Sequence, residues 1–76
     1  MSTYRLVVVK PNGKRVRGGP MAPAVARDTF EAMAALPGQT LRLEEQVAVY
    51  TASGVILNWV WIERASKSSP PSPDTV

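Results

Sequence analysis

Between Val55 and Ile62 the chain carries one polar side chain, Asn58, among seven apolar ones. β-Branched and aromatic residues dominate the run, which predicts a strand over Val55–Arg64. Successive side chains of a strand point to opposite faces. Val55, Leu57, Trp59 and Trp61 therefore fall on one side, and Ile56, Val60 and Ile62 on the other. A strand that is apolar on both sides needs cover on both sides. Few folds of 76 residues can supply it.

The remaining elements show how little cover there is. Tyr4–Lys10, with Leu6 and three valines, predicts a first strand. Pro11-Asn12-Gly13 suits a three-residue hairpin loop, with glycine at the positive-φ position. Such a loop sets Lys10 against Lys14 and Val8 against Val16; a two-residue Asn-Gly loop would pair Val9 with Val16 instead. Gly18-Gly19-Pro20 ends the second strand. Pro23 suits the first position of a helix, and residues 23–36 are rich in helix formers. Ala26, Thr29, Phe30, Met33 and Leu36 share the helix's apolar side, with Arg27, Asp28 and Glu31 opposite. Pro37-Gly38 closes it.

Thr40–Tyr50 is the third strand, with Leu41, Leu43, Val47 and Val49 in phase at period two. Glu45 falls on their side, so a bulge is expected there, with a break into two short strands as the alternative. A second three-residue loop, Ala52-Ser53-Gly54, sets Val49 against Leu57 and Val47 against Trp59. Residues 66–76 are Ser/Pro-rich and predict a disordered tail following a single domain of residues 1–65. The fold class is α+β, in the order ββαββ. It is a four-stranded, mostly antiparallel sheet with one helix packed on one face.

One helix covers one face. Val7, Val9, Tyr50, Ile56, Val60 and Ile62 are then expected on the other, as an apolar patch of the size that usually has a partner. The expected function is a non-enzymatic protein-interaction module, with a homodimer as its simplest form. If the helix takes the opposite face, the tryptophans are exposed instead.

Charge offers an alternative. Residues 1–27 hold six cationic side chains and no acid, whereas residues 28–63 hold five acids against Arg42 alone. Lys10, Lys14, Arg15 and Arg17 form a basic hairpin able to neutralise phosphates. The same residues also suit a solvated edge strand. The acidic second half opposes phosphate, so any nucleic-acid binding is expected to be weak and sequence-independent. Trp59 and Trp61 can stack bases on an open sheet, but on a central strand they suit the core better.

Chemistry is narrowly bounded. With no cysteine and no histidine, the sequence excludes disulfides, thiol catalysis and the usual zinc sites. Adjacent Glu44 and Glu45 point to opposite faces of a strand, and Asp28 and Glu31 lie on a helix surface. No catalytic residue, metal site or cofactor is expected. The apolar runs are too short for a secretory signal or a membrane span, which predicts a cytoplasmic protein. Arginine outnumbers lysine six to three and alanine is frequent, as in GC-rich bacterial or phage genomes.

Overall fold

A computed structural model describes residues 2–70. The strands are β1 (Thr3–Val9), β2 (Arg15–Arg17), β3 (Thr40–Tyr50) and β4 (Ile56–Ser68), with helix α1 (Pro23–Ala32) between β2 and β3. They form one antiparallel sheet in the order β2-β1-β3-β4. The protein is a small α+β domain of the expected ββαββ order, with the helix on one sheet face.

The first hairpin has the three-residue loop. Val8 faces Val16, the Lys10 N–H donates to the Lys14 carbonyl at 2.8 Å, and Gly13 has a φ of 84°. The chain after β2 stays at the sheet edge. Tyr4 and Met21 exchange backbone hydrogen bonds of 3.0 and 2.7 Å, so residues 18–22 line β1 and cross neither face.

Helix α1 packs on β1 and β3. Its Ala26 is fully buried against Tyr4, Leu6, Leu41 and Leu43, with Phe30 at the border of this small core. The helix ends at Ala32, four residues short of Leu36, and Met33 is already extended at φ −80°, ψ 144°. Two causes act together. Pro37 disfavours helical backbone at Leu36, and inside a helix its ring would strike the Met33 carbonyl. The chain must also reach the residue just past β4, where the Gly38 N–H donates to the Ser69 carbonyl at 3.0 Å. Met33 and Leu36 are consequently exposed rather than buried.

Two irregularities reset the second hairpin. Leu43 faces Ala65 and Glu44 faces Glu63, which leaves Arg64 as an extra residue in β4. The bulge expected at Glu45 thus lies on the partner strand, and β3 runs unbroken. Val49 faces Asn58 and Tyr50 faces Ile56, so Leu57 is a second extra residue. Val47 therefore meets Val60, not Trp59, and Val49 meets Asn58, not Leu57. At its other end β4 runs on to Ser68, so residues 66–68 of the expected tail are strand. Residues 71–76 of that tail lie outside the described residues.

Candidate interaction surface

The strands differ in length, and the surface follows from that difference. β1 pairs with β3 only from Thr40 to Gln46. Beyond Gln46, β3 and β4 continue as a ribbon of two strands, and α1 meets β4 only at its other end, where the Lys67 side chain reaches Phe30 and Glu31. The molecule is 60 Å long and only 24 and 16 Å across. A two-stranded hairpin is marginal in water without a third strand or a helix behind it. This one is apolar on both faces. Among the described residues eleven large apolar side chains are exposed; seven of them lie between Val49 and Ile62, and Leu57 is the barest at 69%.

The expected interface set is divided by this geometry. Residues facing each other across a sheet share a side, so Val7, Val9, Tyr50 and Ile56 lie on the face that the helix leaves open. Val60 and Ile62 face Val47 and Glu45, on the helix side. The extra residue Leu57 is the cause: it inverts the alternation of β4 between Ile56 and Asn58. Trp59 and Trp61 take the open face in their stead, opposite Ala48 and Gln46. Val7 is buried to 1% and is no contact surface. Arg17 and Arg42 flank it in register, and their aliphatic stems can cover it.

Charge occupies the middle of the open face. The Arg5 Nε–H donates to Glu44 Oε1 at 2.8 Å, and Arg42 approaches the other Glu44 oxygen at 3.2 Å. Arg42 Nε also sits 2.8 Å from Glu63 Oε1, but its N–H has no aligned acceptor, so that contact is Coulombic and not a hydrogen bond. The Arg5 guanidinium lies 4.1 Å from the centre of the Trp61 ring. Sequence reasoning missed this group: Arg42 and Glu44 alternate at period two, but only the β1–β3 register, which no loop in the sequence sets, brings them opposite Val7 and Arg5.

Among the basic hairpin residues, Arg15 and Arg17 share the open face with Arg5 and Arg42. Lys10 and Lys14 flank the loop and are exposed. On the helix side, Arg64 donates to Glu45 Oε1 at 2.8 Å. Hydrogen bonding from Ser2, and then from Arg64, holds the Glu45 carboxyl below its ordinary range. Glu44 and Glu45 thus serve separate arginine partners on opposite faces. Among the described residues no helix is long and apolar enough to cross a membrane, and no three acidic residues converge as metal ligands. No family model matches the chain, and no curated protein or solved structure matches it significantly.

Proposed function

We propose that the chain is a non-enzymatic protein-interaction module that self-associates through the β3–β4 ribbon. One observation carries this reading: the ribbon holds most of the exposed large apolar side chains and has neither a third strand nor the helix behind it. The core on the helix side is too small to offset such exposure by much. Light scattering at about 100 μM, where a micromolar dissociation constant gives mostly dimer, should return twice the 8.2 kDa mass of the chain. A mass of one chain overturns the reading.

A second reading has its own observation. Arg5, Arg15, Arg17 and Arg42 share the face that presents Trp59. Cations beside an exposed aromatic ring suit single-stranded nucleic acid. Glu44 and Glu63 neutralise part of this charge, and Arg5 covers Trp61. Binding by this route is weak and salt-sensitive. With about four phosphate contacts, a fourfold rise in salt lowers affinity roughly 50-fold on a single strand and about 10²-fold on a duplex. Fluorescence anisotropy with a labelled single strand and a labelled duplex at two salt concentrations separates this reading from the first, since an apolar interface has no such slope.

A further inference from the structure

Resting on the proposed self-association, we infer its geometry: two copies pair antiparallel along the free edges of β4, through Asn58–Ile62, with a two-fold axis at Val60. The result is one eight-stranded sheet.

β4 is an edge strand. Its two extra residues, Leu57 and Arg64, bound a regular stretch from Asn58 to Glu63. Asn58–Ile62 within that stretch has no charge, no proline and no glycine. Natural edge strands are usually protected by charge, proline or a bulge. Here the bulges and charges lie outside the segment, which is left open to another strand.

The direction of the backbone groups fixes the register. The Trp59 N–H donates to the side-chain oxygen of its neighbour Asn58 at 2.8 Å, so it points away from β3 and toward the open edge. By alternation the Trp61 amide points the same way. Outward groups must meet outward groups, so residue numbers facing each other across the axis sum to an even value. An axis at Val60 satisfies this and centres the uncharged segment. Trp59 then faces the partner's Trp61, and the partner's Trp59 faces Trp61. Aromatic cross-strand pairs are among the stronger sheet contacts. Ile62 faces the partner's Asn58 on the helix side. No like charges meet across the axis.

A second copy is the occupant that this edge fits. An uncharged segment centred on its own axis is self-complementary, as a two-fold interface requires. The partner's strands also supply the third and fourth strands that the ribbon lacks. Four tryptophans, the neighbouring aliphatic groups and two strand edges remove on the order of 1,000 Å² from water, near the lower bound of a specific interface. On dimerisation the Trp59 N–H exchanges the Asn58 oxygen for a partner carbonyl, a nearly neutral trade. Apolar burial is left to drive association.

Amide hydrogen exchange on the full chain tests this, read at Trp59 and Trp61 at concentrations above and below the dissociation constant. Edge pairing protects both amides in the dimer and releases them on dilution. A dimer whose Trp61 amide exchanges as fast as in the monomer overturns the edge geometry but leaves self-association standing. A monomer at every concentration overturns both. As a second measurement, Val60→Glu places two like charges directly across the axis and should raise the dissociation constant about ten-fold or more. Val55→Glu, at an exposed residue off this edge, should change it little. The reverse ranking, with both variants folded by circular dichroism, also overturns the geometry.

Discussion

Arg5 and Glu44, thirty-nine residues apart in sequence, meet at 2.8 Å on the sheet face opposite the helix. The pairing of β1 with β3 sets them directly across from each other. Glu44 is only 5% exposed, and Arg42 takes its second oxygen. A carboxylate this buried depends on its partners, and the arginines depend on it in turn. Glu44→Ala removes the shared anion and leaves two half-buried guanidinium groups without compensation. The expected loss is about 2–3 kcal/mol, below the 3–5 kcal/mol typical of fully buried pairs, because both arginines keep some water. Glu63→Ala, whose carboxylate is far more exposed, should cost under about 1 kcal/mol. Urea denaturation of the two variants checks the ranking, and equal losses would mean that Glu44 does not anchor the group.

The tight turns give a second ranking. Gly13, Gly38 and Gly54 have φ of 84°, 79° and 86°. A side chain there costs about 1–2 kcal/mol from backbone strain alone. At Gly13 and Gly54 an added Cβ would meet nothing within 4 Å. At Gly38 it would lie 2.8 Å from Pro11 Cγ, in the first hairpin loop. Gly13→Ala and Gly54→Ala should therefore destabilise by about 1–2 kcal/mol, and Gly38→Ala by more. Combining Gly38→Ala with Pro11→Ala should recover the steric part. Thermal melts of the single and double variants decide the matter, and purely additive losses would sink the proposed contact.

Much of the fold was legible because its signals are local. Gly13 and Gly54 announced their turns, Pro23 the helix start, and period-two alternation the span of β3. The rest depended on pairing. Arg64 and Leu57 look like ordinary strand residues, and only the register against β3 makes them extra. Each inverts the alternation beyond it, and the inversion at Leu57 is why Val60 and Ile62 part company with Ile56. The helix reads as longer in the sequence than it is because Met33 and Leu36 fit its apolar stripe, while the need to reach Ser69 is invisible locally. The apolar ribbon itself was readable as excess hydrophobicity in β4. Its location beyond the end of β1 was not, since that required comparing paired lengths of two strands far apart in sequence.

Glu45 gives a prediction in pH. Hydrogen bonding from Ser2 and Arg64 holds its folded pKa below the ordinary value of 4.5. The unfolded chain therefore binds the proton more tightly than the folded one. The contribution to stability is present above the unfolded pKa and is lost as pH falls through the folded value. Melting temperature should decline on acidification below about pH 4.5, and Arg64→Gln should make that decline shallower. Melts from pH 6 down to about pH 2.5 in both proteins make the comparison, centred on the carboxylate range. Parallel curves would show that Arg64 has no influence on this carboxyl.

Ser66, Lys67 and Ser68 face Arg42, Leu41 and Thr40, and the Ser69 N–H donates to the Gln39 carbonyl at 3.2 Å. The Lys67 ammonium lies 4.7 Å from the centre of the Phe30 ring, at the border of the core. Ending the chain after Ala65 removes these strand pairs, the tie to the loop before β3 and the cation over Phe30. It also bares the outer edge of β3 beside Leu41, one of the most buried residues in the core. Each lost backbone hydrogen bond is worth about 0.5–1.5 kcal/mol net, and a cation–π contact about 0.5–1 kcal/mol. A chain ended after Ala65 should therefore be less stable by at least about 2 kcal/mol than one ended after Pro70. In a domain this small that shifts the melting temperature by roughly 8 °C or more. Calorimetry on the two truncated chains measures it, and equal midpoints would show that the end of β4 contributes nothing to the fold.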